Sequence, residues 1–145
     1  ASQWVNWALN ISGTLYIPWA GDVRVGVWHS GGAVVVMCGN SMDYWSITSP
    51  TFNSYNINCG PPGNKDVKIY YFEGTGEVAL IFVVSHGSSG YIPTIDGAWR
   101  CINFNWNTGT CNTAWQFQAA SSSVPYWVVS HYSPGTSDGR GTPSP

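Results

Sequence analysis

Val23-Arg-Val-Gly-Val-Trp28, the turn Ser30-Gly-Gly32 and the run Ala33-Val-Val-Val-Met-Cys38 decide the fold. The first segment alternates with a period of two, which puts Val23, Val25 and Val27 on one face of a strand. The second is a solid apolar run bounded by glycine, the mark of a buried strand. The same grammar extends in both directions. Trp4-Val-Asn-Trp-Ala-Leu9 and Thr14-Leu-Tyr-Ile17 read as strands separated by a turn at Ser12-Gly13. Asp66-Val-Lys-Ile-Tyr-Tyr-Phe72 sets Val67, Ile69 and Tyr71 on one side. A Gly74-Thr-Gly76 turn then predicts a hairpin with Val78-Ala-Leu-Ile-Phe-Val-Val84. Thr113-Ala-Trp-Gln-Phe-Gln118 alternates again. Val124-Pro-Tyr-Trp-Val-Val129 closes the series, with Pro125 confining its start to a sheet edge.

Helix signals are poor. Asn40-Ser-Met-Asp-Tyr-Trp45 offers a capping residue for a single turn, and 114–120 is a weaker second segment. The expectation is a mainly β protein, an antiparallel β-sandwich or barrel with at most one or two short helices and two disulfides. One β-rich domain spans 1–132. Residues 133–145, rich in Pro, Gly and Ser, read as a flexible tail.

Composition narrows the partners. Aromatic residues make up 15% of the chain, nine of them tryptophan, and charged residues only 8%, against about 25% in an average soluble domain. A phosphate-binding face needs clustered Lys and Arg. The five here are Arg24, Lys65, Lys68, Arg100 and Arg140, and only Lys65 and Lys68 are close in sequence. With a net charge of −2, nucleic acid and anionic membranes are disfavoured partners. No apolar stretch is long enough for a membrane span.

Four cysteines, Cys38, Cys59, Cys101 and Cys111, allow three disulfide pairings. Local loop closure favours Cys38–Cys59 and Cys101–Cys111, the latter stapling a hairpin that turns at Asn107-Thr-Gly109. Asn10-Ile-Ser12 is an N-glycosylation sequon. Even cysteines and a sequon together indicate a secreted chain. A start at Ala1-Ser-Gln3, without Met, fits removal of a signal peptide.

Two clusters join flat apolar rings to hydroxyl-reading groups. One is Asp43, Tyr44 and Trp45; the other is Asp96, Trp99, Asn105 and Trp106, with Asn103 nearby. A ring face stacks on the C–H face of a sugar, while carboxylates and amides accept from or donate to its hydroxyls. That chemistry suits a neutral glycan and requires no cofactor or metal. Single weak sites favour avidity through a homodimer, and low surface charge favours self-association.

Two rival readings use other residues. His29, His86 and His131 each end an apolar strand, so they could converge at one end of a sheet. An acid–base pair of His86 or His131 with Glu73 would make a secreted hydrolase or ribonuclease. Glu73 and Glu77 flank the Gly74–Gly76 turn, where solvated hairpin charges are the expectation. No G-x-S-x-G elbow is present. The third reading is a membrane-active toxin that uses its apolar strands directly.

The Trp-rich segment from Trp4 to Trp19, the four cysteines and Val83-Val-Ser-His-Gly87 resemble the small secreted immunomodulatory proteins of bracket fungi, and more loosely the mushroom glycan-binding proteins. The resemblance implies a secreted, often dimeric protein that acts on foreign cells through surface glycans or glycosylated receptors. It supplies no binding motif to transfer. Residues and resemblance together lead to a lectin-like binding protein without an assigned catalytic group.

Overall fold

The computed structural model describes residues 7–45, 50–73 and 80–128. Thirteen strands run in chain order: β1 (Trp7–Ile17), β2 (Asp22–His29), β3 (Gly32–Met37), β4 (Asn40–Tyr44), β5 (Thr51–Asn58), β6 (Gly63–Glu73), β7 (Leu80–His86), β8 (Ser89–Pro93), β9 (Gly97–Cys101), β10 (Phe104–Asn105), β11 (Thr110–Cys111), β12 (Gln116–Ala119) and β13 (Tyr126–Val128). Every pairing is antiparallel. A five-stranded sheet has the order β13-β1-β6-β3-β4, and a six-stranded sheet the order β12-β9-β8-β7-β2-β5. The inner faces of the two sheets share one core, to which Leu15, Val35 and Ile69 contribute from the first sheet and Val25, Val84 and Tyr91 from the second. This is an antiparallel sandwich.

Val23, Val25 and Val27 are all buried, as their alternation predicts. The chain then leaves the sheet at Ser30–Gly31, so β2 and β3 lie in opposite layers. Between β3 and β4 the two residues of the turn, Cys38 and Gly39, have φ of 53° and 75°. Positive φ at both central positions gives a turn whose twist matches that of the strands. Gly39 adopts it freely, while Cys38 is additionally tied to Cys59 at a Cα–Cα distance of 5.1 Å. That disulfide joins a hairpin of one sheet to the end of β5 in the other.

Four local expectations are corrected. Residues 40–44 form β4, not a helical turn, because Met37↔Asn40 pairing closes the tight hairpin at once. Residues 116–119 form β12 against β9 rather than a helix. Ser12-Gly13 is not a turn: β1 is continuous, and β6 pairs with it from Trp7↔Glu73 to Ile17↔Gly63. Gly13 instead leaves room for Trp127, whose ring would lie 3.8 Å from a Cβ there. Finally, β6 and β7 do not pair. β6 lies between β1 and β3 in one sheet, while β7 lies between β2 and β8 in the other. Glu77, His131, Trp4 and the 133–145 tail lie outside the described residues.

Candidate ligand-binding groove

Strand alternation places Arg24, Gly26 and Trp28 of β2 on the outer face of the six-stranded sheet, away from the core valines. Pairing continues that face across the sheet, with Gly26↔Val83 and Trp28↔Ile81, then Ile92↔Trp99↔Phe117. Most of these outward residues are apolar, so the sheet carries hydrophobic groups on both sides. Such a face needs a second cover. The Cys101–Cys111 hairpin supplies part of it. β10 and β11 pair through Phe104↔Cys111 and Asn105↔Thr110, and the disulfide closes their base at a Cα–Cα distance of 5.9 Å.

The hairpin lays Phe104 and Trp106 onto the sheet. Phe104, Val83 and Cys101 are buried in a second core, flanked by Phe52, Ile92, Trp106, Cys111 and Trp115. Phe104 meets Trp106 edge-on with centroids 4.7 Å apart, and Phe52 edge-on at 5.9 Å. Two glycines make the approach possible. A Cβ on Gly90 would sit 2.6 Å from Phe104 Cγ, and a Cβ on Gly26 would run into the Phe52 ring. Burying a Phe side chain contributes about 1.5–3 kcal/mol, so this satellite core helps hold the hairpin down.

The hairpin does not cover the whole face. Beside it lies an open groove of about 300 Å³. Ile81, Val83 and Ile92 contribute from the sheet, Trp28 and Trp115 contribute indoles, and residues 109–111 with Thr113 border it. Ile81 remains 41% exposed. Beyond Ile92, the neighbouring Trp99 and Phe117 are 41% and 43% exposed and meet edge-on at 5.4 Å. The result is a continuous apolar, aromatic strip with hydroxyl groups at one side. Strands lie about 4.8 Å apart, so the four strand spacings from Trp28 to Phe117 give a strip of about 19 Å.

The structure distributes the expected site residues unevenly. Trp99 joins the strip. Trp106 is half-buried in the satellite core with the Arg24 guanidinium 5.3 Å from its ring, and its Nε1 is buried without a hydrogen-bond partner among the described residues. Asn105 Oδ1 accepts from the backbone N–H of Asn107 at 2.9 Å and of Thr108 at 3.3 Å, so this amide holds the hairpin turn. Asp96 Oδ1 accepts from Thr94 Oγ1 at 2.8 Å in the turn between β8 and β9. The Asp43-Tyr44-Trp45 run is split by the strand pleat. Trp45, 50% exposed, packs on Phe72 at 4.4 Å. Tyr44 instead stacks on Tyr55 at 5.5 Å, across the two sheet edges. Burial, then Tyr44 and the Asp43 charge, raise the Tyr55 phenol above its ordinary pKa.

Trp28 and Trp115 were not singled out by sequence. Trp28 has no carboxylate or amide beside it, and Trp115, although followed by Gln116 and Gln118, reads as part of an alternating strand. Their shared groove is built from β2, β7, β8 and the hairpin, which meet only in the fold.

His29 and His86, the two histidines among the described residues, do not converge. His29 and His86 lie at opposite ends of β2 and β7, because antiparallel pairing sets His29 against Leu80 and Arg24 against Ser85. His29 is buried, donating from Nδ1 to the Gly31 carbonyl at 2.6 Å and accepting at Nε2 from Asn53 Nδ2 at 2.8 Å. Glu73 is also buried, so it is not a solvated hairpin charge. Its Oε1 accepts from Ser30 Oγ at 3.0 Å and from the Tyr71 hydroxyl at 2.5 Å. Glu73 therefore belongs to the His29 end of the sandwich, and the His86–Glu73 acid–base pair is not assembled. Among the described residues no group of three or more His, Cys, Asp or Glu is placed to hold a metal ion.

Neither protein-family models nor curated proteins give a match to this chain. A solved structure of an anti-sigma factor domain-containing protein is similar over 53% of this chain and 28% of that one, at 16% identity and a TM-score of 0.49. A likeness this slight carries no argument about function.

Proposed function

We propose that this protein is a secreted, lectin-like binding module. Its ligand is a glycan, or the glycan of a receptor on a foreign cell, seated in the groove between Trp28 and Trp115. The observation that carries this reading is the partly uncovered aromatic strip on the six-stranded sheet. Two indoles flank an apolar floor, with threonine hydroxyls on the adjoining wall. Indole faces suit the C–H face of a pyranose, and the hydroxyls suit its rim. Apolar patches left open on a small domain mark interaction surfaces.

Two disulfides fit an oxidising, extracellular setting. No helix among the described residues is long and apolar enough to cross a membrane. An immunomodulatory role through cell-surface glycans, exerted by a homodimer, completes the proposal, since one aromatic contact adds only about 0.5–1.5 kcal/mol beyond its area and avidity must supply the rest. The hydrolase reading is not favoured in its His86 form, because His86 and Glu73 are held apart.

A glycan array with the intact protein and the Trp28→Ala, Trp115→Ala and His86→Ala variants tests the proposal. Each indole variant should weaken glycan binding by about tenfold, while His86→Ala leaves binding to neutral glycans unchanged. Retention of full binding by both indole variants, or leakage of liposomes that carry no carbohydrate, would overturn it.

A further inference from the structure

We propose a second subsite, distinct from the groove, that binds an oxyanion carried on a sugar, either a sulfate or a carboxylate. It is formed by Arg100, Ser89 and His86 on the paired aromatic rings of Trp19 and Tyr91. The proposal rests on the glycan-binding reading and names a ligand class for it.

Arg100 belongs to the inner side of β9, opposite Tyr91 on β8. Its guanidinium lies 5.7 Å from the Tyr91 ring centroid. Nε and Nη2 both donate to Ser89 Oγ, at 3.2 and 3.0 Å. No carboxylate pairs with Arg100 among the described residues. A hydroxyl and a phenol ring orient a guanidinium without neutralising it, so the full positive charge stays available in a fixed direction. In a chain with only five Lys and Arg, this is a notable arrangement. Arg24, by contrast, stands over Trp106 as part of the satellite core.

A second basic group adjoins it. His86 is paired with Ser89 across the β7–β8 hairpin, so Ser89 stands between the imidazole and the guanidinium. The exposed His86 ring stacks on Trp19 at 5.0 Å and 9°. Trp19 in turn meets Tyr91 at 5.3 Å. One aromatic pair thus mounts both basic side chains at the same end of the sandwich. Gln116, exposed and opposite Arg100 on β12, adds an amide able to read hydroxyls. Planar guanidinium is the side chain best matched to a two-oxygen anion. Ring, amide and hydroxyl around it are the groups a sugar bearing that anion needs.

The test uses the full chain and matched oligosaccharide pairs: sulfated against desulfated, and carboxylated against the corresponding neutral sugar, with inorganic sulfate as a competitor. The acidic member should bind about tenfold tighter or more. Arg100→Gln should abolish that preference while binding of neutral glycans persists. Arg100→Lys should retain part of it, and Ser89→Ala should reduce it. Comparable near-ultraviolet circular dichroism across the variants secures the comparison. Which pair shows the preference identifies the anion. Equal binding of acidic and neutral partners, or a preference unaltered by Arg100→Gln, overturns this subsite and leaves the groove untouched. Binding of no oligosaccharide at all overturns the glycan reading itself.

Discussion

The outer faces of the two sheets differ in their balance of polar and apolar groups. On the five-stranded sheet, Asn10, Ser12 and Thr14 of β1 point outward beside Asp66 and Lys68 of β6, with Ser41 and Asp43 on β4. Val34, Val36, Tyr70 and Phe72 share this face, so it mixes polar with apolar groups, closer to the pattern of a sheet with one face on a core and the other in water. On the six-stranded sheet the outward positions include Gly26, Trp28, Ile81, Val83, Gly90, Ile92, Trp99 and Phe117. The first face has no hairpin laid over it among the described residues, and Trp45 packs on its Phe72. The second needs a cover, and the stapled hairpin covers only part of it. The groove is what remains of an apolar face after its lid has been fitted.

Removing the lid should therefore break the contrast most severely. In a Cys101→Ser/Cys111→Ser double variant, the hairpin loses its staple and the groove its wall. Stability should fall by about 2–4 kcal/mol, read by urea denaturation, and glycan binding should disappear. A Cys38→Ser/Cys59→Ser variant should lose similar stability but keep binding under conditions where it stays folded, since that disulfide joins the sheets far from the strip. If the two variants lose binding equally, the hairpin has no special part in the site.

Crowding the lid without cutting it is the next test. Gly90→Ala places a Cβ 2.6 Å from Phe104 Cγ, and overpacking of this kind costs about 1–3 kcal/mol. Thermal unfolding should register the loss, with affinity for the glycan falling as the hairpin lifts. A companion Phe104→Leu change should restore part of both. A Gly90→Ala variant as stable as the parent would show that Phe104 does not seat the hairpin.

Sequence made the layers legible but not their partners. The alternation of Val23, Val25 and Val27 identifies one buried face correctly, and the loop closures identify both disulfides. Yet the same segment carries Gly26 and Trp28 outward, and nothing local tells that Gly26 is there to admit Phe52 and Trp106. The expected β6–β7 hairpin does not form, for a related reason. A glycine-flanked turn between alternating strands reads the same whether the chain returns in one sheet or crosses to the other. The outcome is set by the long pairing of β6 with β1, a contact remote in sequence. Asn105 illustrates the limit for sites. An amide beside aromatics looks ready for a sugar, but Asn side chains readily satisfy their own backbone, and this one does.

A smaller effect separates the seam between the sheets from either face. Tyr55 on β5 stacks against Tyr44 on β4, and burial holds its phenol in the neutral form, with its pKa raised. A raised folded-state pKa contributes stability that is complete below the unfolded value of about 10 and is lost as pH rises through the folded one. The parent should therefore lose stability above about pH 10 more steeply than Tyr55→Phe, in denaturation series run at increasing pH. Tyr55 is not fully enclosed, so the difference should be modest. Identical alkaline profiles would mean that solvent reaches the phenol freely at the seam.

The least effect is expected on the water-facing sheet, and it sharpens the contrast most directly. Asn10 is exposed and pairs with Tyr70 on that face, so a glycan attached there would extend away from the groove. Asn10→Gln should change affinity for the ligand by less than about twofold, whether or not the parent is glycosylated. Trp45→Ala should lower stability by about 0.5–1.5 kcal/mol through loss of its packing on Phe72 and leave affinity equally unmoved, although its indole is the most exposed of those described. Exposure alone would nominate Trp45 over Trp28 and Trp115. What distinguishes the latter two is a shared apolar floor and a wall, which let a ligand be stacked and bordered at once. Calorimetric titration of these variants against the glycan proposed for the groove decides the point. Should Trp45→Ala or Asn10→Gln weaken binding more than Trp28→Ala, the polar face is the docking surface and the contrast between the faces is inverted.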